Sequence, residues 1–514
     1  MRLNQIKVGS FISYAQIAAG IVVGLLYTPL MIRLLGHSEY GLYNTASSII
    51  SMLSVLSLGF NSGYIRFFTK YKSEHNEQKI HRLNGMYLLI FAVIGIVALL
   101  CGLYLSAHLD IVFGSGLTDE EYKLARRLMV LLTVNLAISF PMSVFSNIIS
   151  ANERFVFLKS LGLLKTVVSP LISLPLLLLG FKSTALAVAT IAIALITDVM
   201  YLYYVLFVLN NKFVFHHFEH SVFRELFVFT SFIAINIIVD QINWNVDKLL
   251  LARYKGTTAV AVYSVGYTLF SYYMVFSTAI SGLFTPRVHK IVHNDSDDAA
   301  KQLELSAILI KVGRIQFMVL GLISSGLCFF GHEFIIRIWA GEGYSESYYV
   351  MIILVLASTI ALIQNVGIEI QRALNLHKFR SVVYVIMAAG NLSASIVLCQ
   401  KFGAVGSAIG TGISLILCNG IIMNIYYSRK CKLDIVLFWK NIVAVMRGLI
   451  PPVILASLLG LVQNESLLVW LSKIVIYGVV YCLSMWCFAM NQYEKALLKK
   501  PMAVFAAKIR KVGS

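Results

Sequence analysis

The sequence predicts an all-α integral membrane protein: about 14 transmembrane helices, arranged as two pseudo-symmetric six-helix lobes around a central cavity plus two C-terminal helices. Three observations carry this. Of 514 residues, 59% are hydrophobic and only 13% charged, against about 25% charged in soluble domains. Apolar runs of roughly 20 to 28 residues recur along the chain, each able to cross a ~30 Å hydrocarbon layer as a tilted helix. Loop sequences containing Arg, Gly and Tyr also repeat about 220 residues apart. The short alternating strands of a membrane β-barrel do not appear.

The runs lie near 8–35, 41–67, 83–108, 123–150, 156–180, 184–209, 223–247, 258–285, 307–330, 346–371, 380–400, 404–427, 437–462 and 466–490. The N-terminal "MRLNQIKVGS" is basic, and the run after it lacks a small-residue cleavage site, so it reads as a retained first helix. Loops such as "KYKSEHNEQKIHR" and "SRKCKLDIVLFWK" are rich in Lys and Arg, whereas "GHEFIIRIWAGEGYSESYY" is sparing. The excess of cations in cytoplasmic loops then places both termini in the cytoplasm. The net charge of +18 reflects the same bias. No basic loop is interleaved with aromatics, so no nucleic-acid partner is expected. The seven cysteines form no CxxC pair and read as reduced packing residues. The C-terminal "EKALLKKPMAVFAAKIRK" reads either as an interfacial helix interrupted by Pro501 or as a basic disordered tail.

"RLLGHSEYGLYNTAS" and "RYKGTTAVAVYSVGY" share Arg33/Arg253, Gly36/Gly256 and Tyr43/Tyr263 at an offset of 220. "FKSTALAVATIAIALITDVMYLYY" (181–204) echoes "AVGSAIGTGISLILCNGIIMNIYY" (404–427) at an offset of 223. The expected division is an N-terminal six-helix lobe at 1–215, a C-terminal lobe at 216–430, and two extra helices with a basic cytoplasmic tail at 431–514. Six is even, so the lobes share one orientation, and parallel repeats around a cavity are a transporter design.

HExxH, Walker A, GxSxG and CxxC motifs are all missing from the sequence, and no catalytic residue is assigned. "HNDSDD" (293–298) lacks the later Glu of a calcium loop. His216, His217 and His220 read as loop residues, and no metal or cofactor is expected.

Charges inside spans carry more weight, because each is costly unless it faces protein or water. They are Arg66, Lys165, Asp198, Lys311, Arg314, Glu369 and Arg372, with the cations in excess. That excess suits an anionic ligand, although long side chains near span ends also snorkel to the interface. Glu369 and Arg372 have the spacing of a local pair.

In "FIAINIIVDQINWNVDKLLLARYKG" (232–256), Asn236, Asp240, Asn243 and Asp247 fall on one helical face. Asp240 reads as a carrier of H+ or Na+, or as a hydrogen-bonded core group. Asp247 is expected to pair with Lys248, Arg253 or Arg33 and help close the periplasmic side. Tyr263, Tyr267 and Phe270 line one face, fit either to stack on sugars or to pack in the core. Pro29, Pro141, Pro170, Pro175 and Pro286 mark expected kinks.

The stretch "GLLYTPLMIRLLGHSEYGLYNTASSIISMLSVLSLGFNSGYIRFF" (24–68) resembles the polysaccharide-export, O-antigen flippases of the multidrug/oligosaccharidyl-lipid/polysaccharide superfamily. "DKLLLARYKGTTAVAVYSVGY", from Asp247, is similar to that family's second-lobe signature. The resemblance extends over the whole chain in length, span number and repeat. It implies a flippase of a bacterial inner membrane that carries an undecaprenyl-pyrophosphate-linked oligosaccharide from the cytoplasmic to the periplasmic leaflet by alternating access. The expected partners are that lipid-linked oligosaccharide and membrane lipids, the protein working either alone or beside a polysaccharide polymerase and a chain-length regulator, with H+ or Na+ as the candidate coupling ion. On this reading Arg66, Lys165, Lys311 and Arg314 hold the headgroup, and Arg33 and Arg253 attract or gate it at the exit. Tyr263, Tyr267, Asn236 and Asn243 face the glycan, while Asp240, Asp247, Lys248 and Glu369 couple or gate. A peptidoglycan-precursor flippase and a cation-coupled drug exporter are the alternatives. A polymerase or ligase would carry a large periplasmic loop, and the longest outside loops here are short.

Overall fold

The computed structural model describes residues 4–114, 116–216, 220–294, 297–462, 466–497 and 499. Every regular element among them is helical. The expected tail helix, His217 and part of "HNDSDD" lie outside the described residues. Twelve helical segments are long and apolar enough to cross a membrane. Two of these are too long for one crossing. Gln5–Ser73 has 69 residues and Lys378–Arg429 has 52, and at 1.5 Å per residue they would run to about 100 and 80 Å.

Each is broken at a glycine: Gly36 (φ 73°, ψ 177°) and Gly403 (φ 57°, ψ −134°). Packing shows that the chain reverses at both. Gly9 lies on Phe155, Gln16 on Gly162 and Gly20 on Thr166, and Tyr27 hydrogen-bonds Ser173 at 2.6 Å. All four pairs are 146 residues apart, so the first helix runs parallel to Phe155–Leu178. Parallel packing requires an even number of reversals between them, which the chain achieves only if Gln5–Ser73 crosses twice. Around Gly403, Gly406 faces Leu398 and Gly410 faces Ser395, the register of an antiparallel hairpin. Twelve segments therefore make fourteen crossings. The last two, Ile435–Gly460 and Leu467–Ala489, fall where hydropathy places them. Pro286 differs from expectation: it opens the short helix Thr285–Val292, where its missing N–H costs nothing.

The reversals share a backbone signature. Apart from Gly59, the positive-φ glycines pair as Gly36 with Gly256, Gly114 with Gly341, and Gly180 with Gly403, at offsets of 220, 227 and 223. Among positive-φ residues of other types, Glu153 pairs with Asn375 and Asn210 with Lys432, both at 222. The spacing seen in sequence thus recurs in backbone conformation.

The chain forms two compact units, one of Met1–Val265, Ile338–Ser347 and Tyr384–Thr411, the other of Gly266–Arg337, Tyr348–Val383 and Gly412–Ser514. In the first, Phe60, Tyr64, Tyr87 and Phe91 form a buried aromatic core, with Tyr64 and Tyr87 edge-on at 5.0 Å. All seven cysteines are free thiols. Burial pushes the Cys431 thiol, in the basic loop, up to about 12.

Gly36 occupies a region of φ/ψ that is essentially closed to residues with a Cβ, at about 1–3 kcal/mol. Gly36→Ala should lower the thermal midpoint of the detergent-purified protein. Gly390→Ala, in an open helical position, should leave it unchanged or raise it. Equal midpoints for the two variants would contradict the assigned turn.

Candidate functional site

The polar helix His220–Tyr254 divides its stripe between two environments. Asn236 and Asp240 are exposed, whereas Asn243 and Asp247 are buried, Asp247 at 1% exposure. The expected ion pairs of Asp247 with Lys248, Arg253 or Arg33 are not formed. Its Oδ2 accepts hydrogen bonds from the Tyr263 hydroxyl at 2.8 Å and the Thr411 hydroxyl at 2.6 Å. Thr411 and Ser395 each lie 3.2 Å from Asn391 Oδ1. The other carboxylate oxygen, Oδ1, is buried with no hydrogen-bond partner.

The hairpin around Gly403 builds this cluster by setting Asn391 and Ser395 on one arm against Thr411 on the other. A buried carboxyl ringed by neutral oxygens calls for either a positive charge beside it or a proton on it. Tyr263, read as a glycan-facing ring, is 2% exposed with its hydroxyl committed to Asp247, so it serves the carboxylate. Tyr267 packs edge-on against Phe270 at 5.8 Å.

Arg33 and Arg253 both bind backbone. Arg33 donates to Ile338 O at 2.7 Å and Arg253 to Ile111 O at 2.5 Å. Each acceptor lies in the last turn of its helix, Asp298–Trp339 or Asp110–Phe113, where carbonyls lack intrahelical donors and attract cations. The two contacts are reciprocal. The arginines are 220 apart and the acceptors 227 apart, so each repeat grips the same turn of the other. Beside them His37 stacks on Tyr344 at 4.0 Å. The Glu121 carboxylate meets Ser38, Thr118 and Thr257. Gly41 lies against the Thr257 carbonyl, leaving no room for a side chain.

The remaining cations are mostly engaged. Arg66 pairs with Glu225 at 3.4 Å, both about half exposed (51%/51%), and lies 4.5 Å from the Phe229 ring centroid. Lys165 is exposed and within Coulombic reach of Asp198. Lys311 stands over the Tyr493 ring at 3.4 Å. Glu369 takes Arg372 at 2.7 Å, the local pair expected from their spacing.

Arg314 departs most from the headgroup role. It is 6% exposed and forks onto Glu494 at 2.7 and 2.9 Å, with further bonds to the Asn441 and Ala489 carbonyls. Four of its five N–H donors are taken up by Glu494, Ala489 and Asn441 of the chain itself. Sequence reasoning missed Glu494 as it missed Asn391, Ser395, Thr411 and Glu121. The glycine-rich "KFGAVGSAIGTG" was the one available signal, since a hairpin there brings its two arms together.

Removing one member of a buried ion pair costs about 3–5 kcal/mol. Arg314→Ala and Glu494→Gln should therefore each cut membrane abundance and thermal stability. The apolar pair Arg314→Met/Glu494→Leu should recover much of the loss. A stable Arg314→Ala protein defective only in function would return Arg314 to the headgroup.

No curated protein matches the chain significantly. Solved structures match over nearly all of their own length. A lipid II flippase MurJ in an inward closed conformation aligns with TM-score 0.68 at 16% identity, covering 93% of this chain and 97% of that one. An inward-facing MATE-family multidrug resistance transporter of the MOP superfamily gives TM-score 0.63 at 12% identity, covering 83% and 99%. A MOP superfamily transporter from Pyrococcus furiosus gives 0.57 at 13%, covering 84% and 98%. These likenesses establish a shared fold. Residues 8–292, more than half of the chain, match the family model described as polysaccharide biosynthesis protein, and this multi-pass membrane protein belongs to that family.

Proposed function

We propose that the protein is a flippase for a lipid-linked oligosaccharide, carrying an undecaprenyl-pyrophosphate-linked repeat unit from the cytoplasmic to the periplasmic leaflet of a bacterial inner membrane. The observation that carries the reading is the unpartnered oxygen of buried Asp247 within its cluster of hydroxyl and amide oxygens. Oxygen ligands suit a hard cation, and a carboxylate suits a proton. Either would supply the missing charge and couple its movement to transport, while exposed Asp240 is the second candidate on the same helix. Family membership supports a polysaccharide precursor as substrate.

On this reading 1–215 and 216–430 are two lobes of like orientation, both termini are cytoplasmic, and a polymerase and chain-length regulator act downstream. The Arg33 and Arg253 contacts then join the lobes at the periplasmic end. They form a clasp that must open to release cargo and that holds the exit closed while the cytoplasmic side loads. Arg66 and Lys165 are the headgroup cations left least committed. The fold likeness to the lipid II flippase favours one second reading, a peptidoglycan precursor as cargo.

Complementation of strains lacking either flippase separates the two. Restored surface polysaccharide supports the first reading; rescue only of the peptidoglycan defect supports the second. Asp247→Asn, at normal abundance, should lower surface glycan by roughly tenfold or more if coupling runs through this carboxylate. Undiminished export by Asp247→Asn would remove it from the cycle. In a cysteine-free background, Arg33→Ala with Arg253→Ala should increase labelling of Leu42→Cys, a fully buried position, by an impermeant periplasmic maleimide. Unchanged labelling would leave the arginines without a gating role.

A further inference from the structure

A cavity of about 560 Å³ opens at the end of the first unit where the basic 67–83 loop lies. It is separate from the Asp247 cluster and draws no support from the flippase reading. Its wall is built from the end of Phe60–Ser73, the start of Glu77–Ala107, the cap residue Asn152 and the strap 209–211. The strap is pinned. Buried Tyr64 donates to Asn84 Oδ1 at 2.7 Å, and Asn84 in turn donates to Lys212 O at 3.2 Å. Val214 N donates to His81 O at 3.0 Å, and Gly85 lets the Val214 carbonyl approach where a side chain would collide. The cavity is therefore preformed. Two of its residues, His75 and Asn210, hold positive φ (53° and 50°) as the left-handed residues that end the helices before them.

The lining is polar over an apolar floor of Phe68, Ile80 and Leu209. Lys72 is steered by Asn152 Oδ1 at 3.3 Å and by the Phe68 ring at 5.4 Å, which sets its ammonium on the wall. His75 and His81 add imidazoles that donate N–H. Asn152, Asn210 and Asn211 supply carboxamides, each able both to donate and to accept, and Glu77 contributes one acceptor. An ammonium beside imidazoles binds a phosphoryl group, and convergent carboxamides with a single carboxylate match the mixed hydrogen bonding of hydroxyls. The volume lies within the range of small-molecule sites, ~300–1,000 Å³, and exceeds what a bare inorganic anion fills.

We propose that this cavity binds a hydroxylated phosphate ester, of the sugar-phosphate class. The same chemistry is offered by a soluble sugar phosphate and by the glycerophosphate headgroup of an anionic lipid. The full-length protein in phosphatidylcholine nanodiscs would be titrated calorimetrically with α-D-glucose 1-phosphate, inorganic phosphate and glucose. A second arm would measure by native mass spectrometry which lipids are retained from mixed phosphatidylglycerol and phosphatidylcholine. Saturable one-to-one binding of glucose 1-phosphate, tighter than either fragment, is expected. Lys72→Ala should weaken it by about tenfold, the worth of one charge-assisted hydrogen bond. Lys72→Arg should retain most of the affinity. Lys70→Ala, which removes the same charge from the same helix outside the cavity, should not change it. Lys72-dependent retention of phosphatidylglycerol without sugar-phosphate binding would assign the site to the lipid headgroup. No saturable binding of either probe, or equal binding by Lys72→Ala and Lys70→Ala at matched thermal stability, would overturn the proposal. A failure here would leave export and its dependence on Asp247 untouched, so the two readings fail separately.

Discussion

In a hydrocarbon layer an unpaired peptide group costs several kcal/mol, so the chain must satisfy its backbone within each segment and reverse only where water or protein can take over. That constraint places the irregular backbone of this protein at a few residues. Gly36 and Gly403 each interrupt a helix that would otherwise run far beyond the membrane. Glycine is required there because the chain turns through conformations that a Cβ forbids. The fourteen crossings, the parallel run of the first helix beside Phe155–Leu178 and the hairpin that gathers Asn391, Ser395 and Thr411 all depend on those two reversals.

The same constraint governs charge. A buried ion must find a partner or be neutralised, and the protein uses both routes. Arg314 is fully answered by Glu494 and two carbonyls, so it ties the segment after the last crossing to Asp298–Glu333. Asp247 is answered by hydroxyls on one oxygen alone. The difference separates a charge paired by another charge from one met by hydroxyls alone, and neither sequence position nor burial distinguishes them.

Hydropathy and loop charge are properties of contiguous residues, which is why the number of crossings and the reversal near 400–404 were legible in the sequence. The partners were not, because they are set by packing between distant helices. Arg314 and Glu494 are 180 residues apart, and Glu494 lies in a stretch that reads locally as a basic tail. Lys248, one of the three cations expected to pair with Asp247, follows it directly, and consecutive residues on a helix point in different directions. Tyr263 has the position of a stacking ring but a buried hydroxyl with a specific acceptor, and only the fold shows that acceptor. The recurrence of Arg33 as Arg253 was legible for a physical reason. Each arginine bonds a backbone carbonyl, so the contact constrains one side chain and leaves the partner's identity free.

The two repeats share backbone turns but not chemistry at one pair of corresponding positions. Tyr43 corresponds to Tyr263 and Tyr27 to Asp247, both at an offset of 220. In the later repeat the tyrosine hydroxyl donates to a carboxylate. In the earlier one, Tyr27 instead bonds Ser173 at 2.6 Å, and Tyr43 meets Thr190 and Ser47. A phenol carries its own proton and can be buried neutral within a hydroxyl network. A carboxylate in the same place draws in a positive charge or must itself be protonated. At this position the requirement for a counter-charge or a proton therefore falls on the later repeat.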